Sequence, residues 1–205
     1  MMGWYDLFSG FYDSSLEPLY ASQRRAAAEA LRLGPESVVL DLPCGTGQSF
    51  DALAPRARAV VGADLSAGML SKARARVAKN GWSNVHLLSR DVHAIDRAAI
   101  AEAAGGEVAI DRLHVFLGMT AFPRHEEAFA RLWDLLAPGG RCVIVDVHAD
   151  PIGFQGRMVN LVARADITRR WWEPLERVAR GYERVALESK PEHGGTIYLA
   201  SGDKP

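Results

Sequence analysis

The chain has 205 residues, 48% of them hydrophobic, which is enough for one domain with a substantial core. Its formal net charge of -1 gives no overall attraction to nucleic acid and excludes an acidic disordered chain. Because no apolar stretch could span a bilayer and the N-terminus lacks the basic start and apolar run of a signal peptide, we predict a soluble cytoplasmic protein.

Helix-like and strand-like patterns alternate along the first three quarters of the chain. In chain order the predicted elements are helix 21–33, strand 37–42, helix 47–56, strand 58–66, helix 67–81, strand 84–92, strand 111–118, helix 125–136 and strand 137–150. Strands alternating with helices of this length predict right-handed crossovers and a parallel sheet.

The last third has a different pattern. Residues 153–181 are predicted to be mostly helical, with Thr168 as a helix N-cap and Gly181 as a helix stop. Two strands follow at 182–191 and 195–203, and the short turn "EHGG" between them requires an antiparallel pair.

The predicted fold class is therefore α/β, a three-layer α/β/α Rossmann-like sandwich of five parallel strands with a C-terminal antiparallel hairpin. We predict a single domain over 1–205 because no linker divides the chain. Its parts are an N-terminal segment and helix at 1–33, a core of alternating strands and helices at 34–150, a helical insertion at 151–181 and the C-terminal hairpin at 182–205.

Acidic residues end three successive predicted strands. Asp41 is followed by a turn with two closely spaced glycines, Gly45 and Gly47, while Asp64 ends the second strand and Asp91 the third. Ligands bind open parallel sheets beyond the carboxyl ends of the strands, where glycines let the backbone come close to them. Asp64 is placed to accept both hydroxyls of an adenosyl ribose, and Asp91 to accept from an adenine amino group. Each acid could instead cap the next helix.

A dinucleotide site is the alternative for this turn. The GxGxxG pattern, counted from Gly45, requires a third glycine where Phe50 stands. The terminal hairpin also disfavours an NAD-dependent oxidoreductase. A third alternative is a cofactor-binding protein without transferase activity, acting as a sensor or partner subunit.

The segments "VVLDLPCGTG", "VVGADLSAGML", "SRDV" and "LWDLLAPGGRCVIVDV" resemble the motifs of class I S-adenosylmethionine-dependent methyltransferases, in register over nearly the whole chain. The N-terminal "WYDLFSGFYD" is similar to the opening of small-molecule members, such as the ubiquinone/menaquinone C-methylating and phospholipid N-methylating groups. The resemblance implies S-adenosyl-L-methionine as the cofactor. One departure is Pro43, which stands where the first motif usually has a glycine, and proline has no N–H to donate.

The resemblance also implies the residues that contact the cofactor. Around its methionine portion we expect Asp41, Cys44, Gly45, Thr46 and Gly47, with the backbone carbonyls of Phe116 and Leu117 beside the amino group. Asp64 and Leu65 would hold the ribose, and Met69, Asp91 and Val92 would border the adenine.

Catalytic candidates come from the rim of the predicted site and from the N-terminus. The aromatic segment that contains Tyr5 and Tyr12 is predicted to fold over the cofactor as a lid, with either hydroxyl reaching the sulfonium or acceptor, or else to pack on the core. His148 is the best-placed candidate for a base, while His114 is expected in the core. Asp146 could position cofactor or acceptor indirectly. No histidine pair has metal-ligand spacing, so no metal is expected.

The segment 156–184 is where this family usually builds its acceptor pocket. It has more arginines than acids, and it contains Trp171 and Trp172. These features fit a peripheral membrane contact, a pocket wall or an ordinary solvated helix. They favour an apolar or lipid-like small-molecule acceptor, and the missing DPPY-like phrase disfavours nucleic acid. The sequence leaves the oligomeric state open.

Overall fold

The computed structural model describes residues 18–205. Its seven strands are β1 (Val38–Asp41), β2 (Ala59–Asp64), β3 (Val85–Ser89), β4 (Ile110–Phe116), β5 (Leu136–His148), β6 (Arg180–Ala186) and β7 (Thr196–Asp203). Its α-helices are α1 (Ala21–Ala30), α2 (Phe50–Leu53), α3 (Ala67–Asn80), α4 (Arg97–Ala104), α5 (His125–Leu135), α6 (Phe154–Ala163) and α7 (Glu173–Val178). Short 3-10 helices lie at Pro18–Tyr20 and Pro191–His193.

All seven strands form one sheet, in the order β3-β2-β1-β4-β5-β7-β6. Strands β1 to β5 are parallel, and β7 runs antiparallel to both β5 and β6. The predicted sheet of five parallel strands and a hairpin is therefore confirmed. The direction of strand succession reverses between β1 and β4, and the carboxyl ends at such a point form the crevice in which open α/β sheets bind ligands.

Both faces of the sheet are covered by apolar layers, because side chains alternate along each strand. In β5, Val143 and Val145 pack on one face with α1 and α3, whereas Cys142 and Ile144 pack on the other with α4, α5 and α7. Burial on both faces explains why the central strands are continuous apolar runs. Cys44 and Cys142 are free, buried thiols, and burial raises the pKa of both.

Local capping signals define several helix ends. Gly81 ends α3 in the left-handed conformation, at φ +66°, as the Asn80-Gly81 pair predicts. Helix α4 was not among the predicted elements, although the sequence contains its signals. The side chain of Asp96 accepts from the Ala99 amide at 2.8 Å, and Gly105 ends the helix at φ +74°.

The prediction for the last third is partly wrong. Residues 153–181 form two separate helices, α6 and α7, joined by a segment without regular structure. Thr168 caps neither helix, because the N-cap positions are Gly153 and Trp172, and its hydroxyl donates to Asp166 instead. Gly181 is not a helix stop: it lies inside β6 at φ +59°, where the register against β7 shifts, and a bulge of this kind favours glycine.

Trp171 and Trp172 lie in the core, at 0% and 4% exposure. Neither ring is available to a membrane, which corrects that part of the prediction for 156–184. None of the helices found between residues 18 and 205 has the length and apolarity needed to cross a bilayer.

Candidate functional site

The first predicted acid, Asp41, forms a buried pair with a histidine of the neighbouring strand. Asp41 Oδ1 lies 2.7 Å from His114 Nδ1, and both side chains are 1% exposed. They meet because β1 and β4 are parallel neighbours with Asp41 opposite His114 in the register. The second carboxylate oxygen, Oδ2, is buried and has no hydrogen-bond partner among the described residues. A buried acceptor left without a donor is costly, so this oxygen is available to a positively charged ligand.

The turn after β1 approaches β2 closely. The Cys44 amide donates to the Ala63 carbonyl at 2.9 Å, and the Gly45 amide donates to Asp64 Oδ2 at 2.9 Å. Gly45 has φ +54°, and a Cβ added there would point into open space. The turn therefore exposes bare backbone toward the end of the sheet, as a backbone cradle for a ligand requires.

Phe50 explains why the third glycine of a dinucleotide motif is absent. Its ring is fully buried and fills the space beside two glycines: a Cβ on Gly47 would lie 2.6 Å from the ring, and one on Gly62 2.5 Å from it. The glycines at the first turn thus accommodate an aromatic ring behind the loop. These glycines do not provide the geometry that lets a helix approach a pyrophosphate.

Asp64 ties the first turn to the second. Besides the Gly45 amide on Oδ2, its Oδ1 accepts from the Ser66 amide at 2.8 Å. Burial raises the pKa of Asp64 despite these hydrogen bonds. A carboxylate has about four acceptor positions, so both oxygens retain capacity for a further donor such as a hydroxyl. Next to it Leu65 is 67% exposed, while Met69 is buried in the first turn of α3.

Asp91 follows β3 at the same edge. Its Oδ1 accepts from the His93 amide at 2.7 Å, and this turn buries Val92 at 6% exposure. The His93 ring lies 2.9 Å from the carbonyl oxygen of Pro123, which links this turn to the segment after β4. All three predicted acids therefore lie at one edge of the sheet, and Asp64 and Asp91 also hold the turns that follow them.

Strand β4 ends beside two residues that the sequence interpretation missed. The Tyr20 ring meets Phe116 edge-on at 6.1 Å, and the Arg24 guanidinium lies 5.1 Å from the centre of the Phe116 ring. Arg24 therefore brings a positive charge to this end of the sheet. Its own sequence context, an Ala-rich helix, carries no signal for this role. Leu117 has φ +54°, and its amide donates to the Val145 carbonyl at 2.8 Å.

The loop after β4 is held by a buried aspartate of β5. Asp146 accepts from the Thr120 amide at 3.0 Å and from the Thr120 hydroxyl at 2.8 Å, and the Val147 amide donates to it as well. Burial raises the pKa of Asp146 to about 6. Asp146 therefore positions the loop after β4, and its indirect role toward cofactor or acceptor stays a prediction.

His148 lies on the other face of the sheet from the Asp41–His114 pair. Its Nδ1 is 3.1 Å from the Arg169 carbonyl, to which it must donate because a carbonyl only accepts, and its ring meets Trp172 edge-on at 4.8 Å. The structure thus leaves Nε2 as the acceptor. Tyr5 and Tyr12, with the predicted lid, lie outside the described residues. Residues 18–205 contain no cluster of acids, histidines and cysteines that could hold a metal ion.

Comparison with known proteins identifies the family. A family model described as a methyltransferase domain matches residues 39–140. A demethylmenaquinone methyltransferase of Parafrankia sp. (strain EAN1pec) is 39% identical over 208 aligned residues, which cover 96% of this chain and 73% of that protein. The chain belongs to the class I S-adenosylmethionine-dependent methyltransferases.

Other relatives and solved structures are also similar to this chain. A demethylmenaquinone methyltransferase of Thermus thermophilus is 34% identical over 136 residues, 65% of this chain and 57% of that protein. The chain spans about half the length of the first curated relatives it matches, at 57%, 48% and 45%. The N-methyltransferase NodS from Bradyrhizobium japonicum WM9, solved with S-adenosyl-L-homocysteine, superposes with a TM-score of 0.72 at 17% identity, covering 95% of this chain and 90% of that one. At that identity the likeness shows the fold.

The residues of this family member fit the cofactor that the family uses. The partnerless Oδ2 of Asp41 is a buried acceptor suited to an ammonium group. The open side of Gly45 leaves room for a ligand against the backbone. The Asp64 carboxylate, held by two amides, keeps free acceptor positions for a diol.

Proposed function

We propose that the protein transfers a methyl group from S-adenosyl-L-methionine to a small, apolar, quinone-like acceptor. The observation that carries the proposal is the buried Asp41 carboxylate, which has one oxygen on His114 and the other without a donor, beside the open Gly45 turn. A buried acceptor of this kind is stabilised when a cationic ligand binds. Membership of a methyltransferase family supports the same ligand.

Each end of the cofactor has a proposed contact. Asp41 would accept from the methionine ammonium, with Cys44 to Gly47 and the carbonyls of Phe116 and Leu117 around it. We add Arg24, whose guanidinium beside Phe116 is suited to the methionine carboxylate. Asp64 and Leu65 would meet the ribose, and the adenine would lie between Met69 and the Asp91-Val92 turn.

The reaction requires alignment more than acid–base chemistry. The bound cofactor supplies an electrophilic methyl group on a sulfonium whose leaving group is a neutral thioether. A bond from the acceptor to the methyl carbon forms as the sulfur–methyl bond breaks, and the acceptor then loses a proton. The residues at the sheet edge hold the cofactor in one orientation, and orientation alone can contribute roughly 7–11 kcal/mol.

A quinol-type acceptor also needs a base, because its carbon becomes nucleophilic when a phenolic proton is removed. His148 and Tyr12 stay the proposed candidates. The Nδ1–H of His148 is engaged by the Arg169 carbonyl, so the neutral ring can accept a proton at Nε2. A His148→Gln variant that lowers kcat without changing cofactor affinity would support this role, and unchanged kcat would remove it.

The apolar class of acceptor is supported by two observations. The relatives from Parafrankia and Thermus are named demethylmenaquinone methyltransferases. The helix that follows β5, α6, has large apolar side chains on its outer surface. A small-molecule acceptor agrees with both, and a quinone nucleus is the specific form that we propose.

Cofactor binding is tested by calorimetric titration with S-adenosyl-L-homocysteine. We expect Asp64→Asn to weaken binding by about 10- to 100-fold, because hydrogen bonds to a charged group contribute about 1.5–3 kcal/mol. Asp134→Asn, a matched change on the exposed side of α5, should leave affinity unchanged. Binding of NADH instead, or no loss in Asp64→Asn, would contradict the proposed site.

Transfer is tested with labelled S-adenosyl-L-methionine and a panel of quinols, aminophospholipids, phenols and small amines. We expect label in a quinol carbon. Label in an aminophospholipid or amine would support methyl transfer but would contradict a quinol as the acceptor. A folded protein that binds S-adenosyl-L-homocysteine and labels nothing in the panel would favour the non-catalytic sensor instead. The absence of a nucleic-acid substrate and the cytoplasmic location stay predictions.

A further inference from the structure

Helix α6 exposes its large side chains and buries its small ones. Phe154 is 77% exposed, Leu161 70% and Met158 41%, whereas Gly156 is the buried residue of the helix. Helices on globular proteins ordinarily have the opposite distribution, with the apolar stripe facing the core. We call Phe154, Met158 and Leu161 the outer face of α6.

The packing of α6 fixes this orientation. A Cβ on Gly156 would lie 2.7 Å from the Gly194 carbonyl oxygen and 3.0 Å from Ile167 Cδ1. One turn further, Asn160 Oδ1 accepts from the Ile167 amide at 2.9 Å. Rotating the helix to bury a large side chain would break this hydrogen bond and force that side chain into the Gly194 backbone. The outer face is therefore directed away from the protein by close contacts on the inner side.

The spacing of the outer face is that of a continuous helical stripe. Positions 154, 158 and 161 are separated by four and three residues, which places their side chains on one side of the helix. A contiguous exposed apolar stripe, unlike single exposed apolar residues, marks an interaction surface.

Helix α6 itself carries a positive charge and no negative one. Residues 154–163 contain one arginine, Arg157, and no acid, while Asp150 and Asp166 lie beyond the two ends of the helix. Arg157 is exposed, and it forms no ion pair within the described part of the chain. Arg157 lies three residues after Phe154 and four before Leu161, so its side chain borders the outer face. An occupant of this surface therefore has an apolar interior and an anionic boundary.

We propose that the outer face of α6 docks on the surface of an anionic phospholipid bilayer. Phe154, Met158 and Leu161 would enter the boundary between headgroups and acyl chains, and Arg157 would lie at the level of the phosphates. Interfacial helices bind by this combination of buried apolar area and attraction to anionic lipid. The helix follows directly on β5, so the docked protein would hold the carboxyl edge of its sheet near the membrane.

The proposal moves the predicted membrane contact to α6, which begins at Phe154, before the predicted range. The predicted membrane contact spanned 156–184 and relied on tryptophans, but Trp171 and Trp172 are core residues. The exposed apolar residues lie in α6 alone within that segment, apart from Val178 at 41% exposure on α7. Val178 is therefore a matched control for the outer face.

Vesicle sedimentation of the full chain tests the proposal. We expect binding to mixed phosphatidylglycerol–phosphatidylcholine vesicles that falls with added salt, and weaker binding to phosphatidylcholine alone. Phe154→Ser with Leu161→Ser should weaken partition about tenfold or more, because each removes apolar area that the membrane would bury. Arg157→Gln should weaken it about fivefold, on the anionic vesicles only. Val178→Ser should bind like the parent chain.

Each contrary result overturns the proposal. The proposal is wrong if the parent chain does not bind the anionic vesicles, or if the Phe154→Ser/Leu161→Ser variant binds them as well as the parent chain does. It is also wrong if Val178→Ser loses as much binding as the double variant. A fall of many degrees in Tm of the double variant would show that another part of the chain covers the face. A concentration-dependent dimer that the double variant abolishes, without vesicle binding, would assign the face to a second copy. The vesicle assay contains neither cofactor nor acceptor, so a negative result in it does not contradict the proposed methyl transfer.

Discussion

At the scale of single residues, the site depends on carboxylates that serve two purposes. Asp41 and Asp64 each hold a structural partner with one or both oxygens and keep acceptor capacity for a ligand. The strand-end acids could be predicted because each is local: an apolar run, an acid and a turn are adjacent in sequence. The roles of His114 and Arg24 could not be predicted. Asp41, the partner of His114, lies 73 residues away in the chain, and Phe116, the partner of Arg24, lies 92 residues away. These pairs meet only because of the order of the strands in the sheet.

We expect His114→Leu to lower the free energy of unfolding by about 3 kcal/mol or more, because it leaves the buried Asp41 carboxylate without any partner. His114→Asn, whose amide can donate from nearly the same place as Nδ1, should recover a large part of that loss. Urea unfolding of the three proteins measures the difference. Equal stabilities for the Leu and Asn variants would show that the pair contributes little.

At the scale of elements, the loops after β1 and β4 are locked against each other. A Cβ on Gly118 would overlap Pro43 Cδ and lie 2.9 Å from the Phe122 ring. Pro43, the departure from the family pattern, therefore serves as a packing surface for the loop after β4. The sequence shows that Pro43 departs from the family pattern. It does not show that Pro43 packs against the loop after β4, because the two loops are distant in the chain.

Gly118→Ala tests this contact. The added methyl must push the two loops apart, and such overpacking costs about 1–3 kcal/mol of stability. Because Pro43 adjoins the Gly45 turn, affinity for S-adenosyl-L-homocysteine should fall as well. Gly106→Ala adds the same methyl where nothing lies within 4 Å and should change neither quantity. Thermal unfolding and ligand titration measure both, and a normal Tm in Gly118→Ala would contradict the packing.

The Asp146–Thr120 contact predicts a pH dependence. Burial raises the pKa of Asp146 from the ordinary 3.8 to about 6, so the folded protein binds this proton more tightly than the unfolded chain. The stabilisation that the bound proton on Asp146 contributes is complete below about pH 4 and is lost as the pH rises through 6. We expect the stability of Asp146→Asn relative to the parent chain to increase by about 2–3 kcal/mol between pH 4 and pH 7. Urea titrations across that range measure it, and a constant difference would refute it.

At the scale of the whole molecule, the carboxyl ends and the amino ends of the parallel strands have different roles. The carboxyl edge holds the candidate site, and the amino edge is closed by Arg141, whose guanidinium donates to the Ala30 carbonyl, Asp203 and Ser201. The layered architecture could be predicted from the alternation of apolar runs and helices. The hairpin of the last third could also be predicted, but the arrangement of residues 153–181 could not, because Trp171, Trp172 and Gly181 have the same local signals in a helix, a core loop or a bulge.

We expect Arg141→Met to reduce the free energy of unfolding by about 2 kcal/mol, since it removes several buried hydrogen bonds while retaining an apolar side chain. Affinity for S-adenosyl-L-homocysteine should be unchanged, because Arg141 lies at the far edge of the sheet from Asp41. Arg131→Met, on the exposed surface of α5, is the matched control. A loss of affinity in Arg141→Met would show that the two edges are coupled.

Strand β7 is inserted between β5 and β6, although it comes after both in the chain. During synthesis, β5 and β6 therefore leave the ribosome before the strand that separates them exists. Until residues 196–203 emerge, each offers an open row of amides and carbonyls, and such edges pair readily with other chains. We expect chains released after synthesis stops before residue 196 to aggregate, and the chain released with residues 196–203 included to be resistant to protease.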